Sequence, residues 1–309
     1  MDSSTPRTRN ISPKLALTTH VISISFTSVA LLSVILRFVS RRLQFGPSFV
    51  PFSRSHSGRT RRGLLNGPTQ AQGFQLDDYL MILTLTSLCV MAWASNEIAV
   101  HDSNYLLDEE DIKTYHDHAE AVWGSKMLVV LEEAFRATLW GVKGCFTALY
   151  WRMTTGLKEQ TILKSIATYC ILGYVMTQVL YLFIYSGCTT YRSHLLTSLF
   201  FHLTSDLLLL SVPLPIILKV QLPPRRKTIL LQICGLGLIV CVLGILNRSL
   251  NLLCSDPNYD FLIWYNAEAS TAVIVANVPC CWTLLSKVFR LDPWTGRSRR
   301  VSAVVLRSR

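Results

Sequence analysis

Long apolar stretches, each about 20 residues and nearly free of charge, constrain this chain more than any other feature. That is the length a helix needs to cross a hydrocarbon layer about 30 Å thick. A helix on a water-soluble core needs only one apolar stripe, not an unbroken run. Composition agrees with the membrane reading: half of the 309 residues are apolar and 16% are charged, against about 25% charged in soluble domains.

Taken in order, the runs predict spans at 17–39, 79–100, 127–151, 163–185, 195–218, 228–246 and 261–285. The expected fold class is therefore all-α, a seven-transmembrane-helix bundle occupying residues 17–289. A short amino-terminal segment, 1–16, precedes it, and a basic tail, 290–309, follows it. Residues 43–75, rich in Ser, Gly, Pro and Arg, read as a flexible loop between the first two spans. The opening MDSSTPRTRNISPK lacks the compact apolar core and small-residue cleavage site of a secretory signal. The first span is thus expected to serve as its own insertion signal.

Charge sets the orientation. Lys and Arg in residues 40–76, 152–161, 219–227 and 286–309 number nineteen, against seven in residues 1–14, 101–126 and at Arg192 and Arg248. Cationic connections stay in the cytoplasm, so the amino terminus is predicted outside and the carboxyl terminus inside. Residues 101–126 also carry seven acids, which suits an outside loop. The formal charge of +11 therefore reads as membrane topology; no groove-reading motif accompanies it, and no nucleic-acid partner is expected.

From the fifth span onward particular words appear. SDLLLLSVPLPIILKVQLPPRRK (205–227), LGILNRSLNLL (243–253) and FLIWYNAEASTAVIVANVPCCWTLLSKVF (261–289) resemble the fungal rhodopsin-domain membrane proteins. That seven-helix, receptor-like group includes the Pth-type receptors and the satratoxin-cluster membrane protein family. SVILRFVSRR (33–42), LDDYLM (76–81) and LYWRMT (149–154) extend the likeness. The resemblance implies a receptor-like membrane protein, expected in the plasma membrane, that senses an extracellular or lipid-borne cue and meets a cytoplasmic signalling partner. A small-solute or proton transporter is the rival class, and an accessory protein or enzyme of secondary metabolism is a third. The chain departs from the family twice. Its first two helices are separated by a long insertion, and the outer segment before the fifth span is short, keeping only Cys188.

Nine cysteines form no Cys-x-x-Cys pair, which removes the usual zinc and redox readings. Seven fall in apolar spans, where Cys acts as a small hydrophobe. Cys188 and Cys254 fall in segments placed outside, where a disulfide between them is compatible with the environment. His116 and His118 beside Asp117 and Glu120 read as solvated side chains, and no metal site is expected. The last span holds no lysine between residues 261 and 285, so a retinal Schiff base has no amine there. Paired histidines for haem are missing as well, and no cofactor is expected. No Gly-x-Ser-x-Gly, His-Glu-x-x-His or phosphate-loop pattern occurs, which argues against an enzyme.

Charged groups inside a span cost about 2.5–3.5 kcal/mol each, so they face the bundle interior and pair. Helical phasing puts Glu132, Arg136, Trp140 and Lys143 on one face of the third span, with Glu133 a step aside. His202 and Asp206 share a face of the fifth, and Glu268 lies in the seventh. At about 1.5 Å per residue, Glu132 sits about 8 Å below the outer boundary, Glu268 about 10, Arg136 about 13, Asp206 about 16 and Lys143 about 24 Å. These depths predict Arg136 against Glu268 or Asp206, and Lys143 against Asp206. The charged groups are expected to form one polar cluster, which serves either as an ion-pair network that fixes helix packing or as a site that answers a ligand or a proton. Pro213, Pro215 and Pro279 are expected to bend their helices, and the small residues Gly237, Cys241, Gly244, Ala272 and Ala276 to let helices pack closely.

Overall fold

The protein was analysed as a computed structural model that describes residues 13–45, 76–100, 115–154, 159–185, 191–213, 224–253 and 260–288. Segments 1–12, 46–75, 101–114 and 289–309, together with Cys188, Pro215 and Cys254, lie outside the described residues. Seven α-helices and no strand occur among the described residues: α1 (Pro13–Phe45), α2 (Leu76–Val100), α3 (Tyr115–Thr154), α4 (Glu159–Tyr185), α5 (Tyr191–Ser211), α6 (Pro224–Leu253) and α7 (Asp260–Val288).

The predicted all-α class is observed, with one difference in element length. The third helix starts at Tyr115, ahead of the predicted Met127, because the Ala- and Glu-containing stretch before the apolar run continues the helix rather than ending it. The fifth is helical to Ser211, and residues 214–218 of its predicted range lie outside the described residues. A turn at Val212 precedes Pro213, which has no N–H to donate and disfavours helical backbone at the residue before it. The Val212 N–H accordingly bonds the Leu209 carbonyl at 3.4 Å, an i→i−3 turn.

Among the described residues, three helices are long and apolar enough to cross a membrane by length and composition alone, over 17–42, 76–100 and 160–183, and apolar runs of α5 and α6 cover 196–211 and 234–249. What identifies the whole bundle as a membrane structure is its inside-out distribution of polarity. Leu17, Leu83, Ile171, Leu182 and Leu231 stand more than 60% exposed, while Arg37, Asp77, Asp78, Arg136, Lys143, Arg248 and Glu268 are no more than 3% exposed. Water would drive that arrangement the other way; lipid favours it.

A central helix, α3, packs on α2 along its length, and α1 packs on α7. The main core joins α1, α2, α3 and α7 through Val34, Met81, Leu88, Leu131, Phe135, Tyr265 and Ala272. A smaller one joins α3, α4 and α5 through Tyr150, Leu163, Ile166 and Leu209. The α2–α3 approach needs Gly141: a Cβ there would stand 2.3 Å from the Thr84 hydroxyl oxygen. The small residues of α6 do the same on a second seam, with Gly237 against Leu210 of α5 and Gly244 against Glu268 of α7.

Candidate functional site

The charged groups of α3 and α5 meet as the depth count predicts. The Lys143 ammonium, 3% exposed, donates to the Ser205 hydroxyl at 2.5 Å and the His202 carbonyl at 2.9 Å. It lies 3.1 Å from Asp206 Oδ1 and 4.6 Å from the Trp140 ring centroid. All three ammonium hydrogens therefore have acceptors. His202 and Asp206, one turn apart on α5, pair through Nδ1 and Oδ2 at 2.9 Å. A carboxylate can only accept, so Nδ1 carries the imidazole hydrogen. A cavity of about 40 Å³ opens beside this triad, bordered by Gly237 and Cys241 of α6 and Ala272 of α7.

Glu268 is 1% exposed and accepts from Asn247 Nδ2 of α6 at 2.5 Å through Oε2. Its other oxygen, Oε1, is buried with no hydrogen-bond partner. It points towards Gly244, where a Cβ would come within 3.1 Å of it. A small cavity of about 10 Å³ lies between Glu268, His202, Asp206 and Arg248. The Lys143 triad and the Glu268 pair are thus neighbours.

Glu132 and Arg136 take other partners. Tyr265 of α7 donates to Glu132 at 2.8 Å, and its ring stacks on Phe135 at 4.3 Å between centroids. The Arg248 guanidinium lies 5.1 Å from the Phe135 centroid. Arg136, expected against Glu268 or Asp206, instead donates to Glu133 at 2.6 Å and sits 3.8 Å over the Tyr181 ring of α4. Gln178 of α4 holds the other Glu133 oxygen at 2.8 Å. The reason is azimuth rather than depth: α4 flanks this side of α3, and Glu133 lies one turn away on the same helix. The single cluster expected from depth is therefore a chain of smaller contacts that radiates from α3 to α4, α5 and α7.

A second ionic contact joins α1 to α2, at residues not singled out as a site from the sequence. Arg37 of α1 donates to Asp77 at 2.7 Å and to Asp78 at 3.3 Å, and Arg41 bonds both carboxylates as well. From α7, Asn277 Oδ1 accepts from Arg37 at 3.3 Å. Arg37 also reaches the Ala276 carbonyl at 3.5 Å, and Ser40 donates to the Cys280 carbonyl at 2.8 Å. Those two carbonyls bracket Pro279, which stands inside a continuous α7. Neither is the carbonyl that Pro279 itself leaves without a donor, which is that of Val275 four residues earlier; the two bonds tie α1 to the α7 backbone around the proline. A readable signal existed: arginines four apart at the end of one helix, and adjacent aspartates at the start of the next. Farther along, Asn266 of α7 donates to Ser95 of α2 at 2.7 Å and accepts from Ser23 of α1 at 3.2 Å.

Cys89, Cys145, Cys170, Cys234, Cys241, Cys280 and Cys281 are free thiols; the Cys188–Cys254 pairing falls outside the described residues. Among the described residues no cluster of His, Cys, Asp or Glu has the makings of a metal centre.

Buried ion pairs inside, oily side chains outside and helices of membrane-crossing length define a multi-pass α-helical integral membrane protein. Within that class, the sequence model of the fungal rhodopsin domain matches residues 67–287, which takes in α2 through α7, and the chain belongs to that family. No curated protein and no solved structure matches the chain.

Proposed function

We propose that this protein is a receptor-like sensor, resident in the plasma membrane with its amino terminus outside, that registers an extracellular or lipid-borne cue without catalysing a reaction. Its output is a rearrangement of α5, α6 and α7 that presents the basic cytoplasmic connections to a signalling partner. The observation that carries this reading is the buried Lys143–Asp206 contact between α3 and α5. Desolvating two charges offsets most of what their attraction returns, so such a pair contributes little net stability. Its physical use is to favour one helix arrangement over another, and a ligand that competes for either charge shifts that balance.

The transporter reading draws on the cavity bordered by the same three side chains. At about 40 Å³ it has room for a water or two, so a solute would need the helices to part first. The receptor reading needs no such passage. Asp206→Asn, compared with wild type at matched surface amount, should alter the response of cells to extracts that evoke signalling. An unchanged response would contradict the sensor reading, and uptake of solute into proteoliposomes would favour transport.

A further inference from the structure

Two buried polar atoms are without partners, Nε2 of His202 and Oε1 of Glu268, and the two residues that carry them line the same small cavity. Their chemistry is determined by their other contacts. Because His202 Nδ1 donates to Asp206, Nε2 of the neutral ring is a lone-pair acceptor. Glu268 Oε2 already accepts from Asn247, and Oε1 is an acceptor too. Two acceptors cannot satisfy each other, and leaving both unmade in a buried site is costly. The cavity these residues line, about 10 Å³, is about large enough for one water molecule.

We propose that a single buried water bridges His202 and Glu268, donating one hydrogen to Nε2 and the other to Oε1, and that this bridge is a proton relay between α5 and α7. The relay then runs from Lys143 through Asp206, His202 and the water to Glu268 and Asn247, crossing from α3 to α6. A proton arriving at Glu268 Oε1 turns that atom into a donor to the water. The water passes one of its own hydrogens to Nε2 and keeps the arriving one, so it is regenerated, rotated. The imidazolium formed is held through Nδ1 by Asp206. Charged and titratable groups facing the relay are Lys143 from α3, Asp206 from α5, Cys241 and Arg248 from α6, and Glu268 itself from α7. The relay goes beyond the receptor reading and does not rest on it, since its test reads hydrogen positions rather than signalling.

Gly244 supplies the decisive variant. A methyl group there would stand 3.1 Å from Oε1, against the cavity the water would fill, while leaving both His202 and Glu268 in the chain. Solid-state NMR of histidine-¹⁵N-labelled protein in bilayers, with the His202 signals assigned by their loss in His202→Asn, reads both atoms. Wild type should show hydrogen on Nδ1 and magnetisation transfer from a bound water to Nε2. Gly244→Ala should lose most of that transfer while keeping the Nδ1 hydrogen, and Glu268→Gln should weaken it. Hydrogen found on Nε2 in wild type, or water transfer unchanged in Gly244→Ala, would overturn the relay. Should Glu268→Gln fail to fold, the Gly244→Ala comparison decides alone.

Discussion

Lys143 shows how one side chain can hold a membrane bundle together without adding much to its stability. Its ammonium has three acceptors, all on α5, and deleting either charge leaves the other buried without its countercharge. Lys143→Met and Asp206→Leu should each destabilise the detergent-solubilised protein by about 3–5 kcal/mol, whereas the double variant should recover most of the loss. Thermal unfolding of the three variants checks this; equal losses in single and double variants would show that the pair is stabilising in its own right. The Lys143–Asp206 contact was legible from the sequence because depth along two helices was enough to match the charges. The position of Arg136 was not, because pairing also depends on how a helix is rotated about its axis. Nothing in the residues of α3 alone says that Tyr181 and Gln178 of α4 lie beside it. Glu268 was legible as a buried charge but its partner was not: Asn247 is neutral, and a search for opposite charges passes over it.

Elements in this bundle are positioned by proline, glycine and a few polar clasps. A turn at Val212 stands just before Pro213, while Pro279 is carried within α7. Around Pro279, Arg37 and Ser40 of α1 donate to the Ala276 and Cys280 carbonyls and hold the two helices together there. The Arg37–Arg41–Asp77–Asp78 clasp fastens α1 to α2 and, through Asn277, to α7. It went unrecognised as a site because charges at span ends are ordinarily read as orientation signals. The clasp makes α1 a tightly held element despite the insertion that separates it from α2 in the chain. A specific protease site placed within residues 46–75 and cut after purification should leave the α1 fragment bound. In Asp77→Asn/Asp78→Asn the same cut should release it, as seen by co-purification; release from wild type would contradict the clasp. At the α2–α3 seam, Gly141→Val should lower the folded yield by several-fold. Its branched side chain has no room beside Thr84, and overpacking a seam costs about 1–3 kcal/mol. Normal yield would mean that the two helices can part without penalty.

For the molecule as a whole, the deciding property is which solvent surrounds it. Leucines and isoleucines cover the outside while arginine, lysine, aspartate and glutamate fill the inside, so the fold is stable only where the surroundings are as apolar as the helices. Hydrophobic run length was enough to recover all seven helices, three of which are long and apolar enough to cross a membrane when only the described residues are counted. In α3, by contrast, Glu132, Glu133, Arg136 and Lys143 interrupt the apolar run and dilute the signal that hydropathy carries. The uneven distribution of Lys and Arg predicts an orientation, with the amino terminus outside and the carboxyl terminus in the cytoplasm. Its most direct test is to place epitope tags at the amino terminus, within residues 101–114 and at the carboxyl terminus, and to stain cells before and after permeabilisation. The account predicts that the first two are reached on intact cells and the third only once the membrane is opened. Finding the 101–114 tag and the carboxyl-terminal tag on the same side would contradict it.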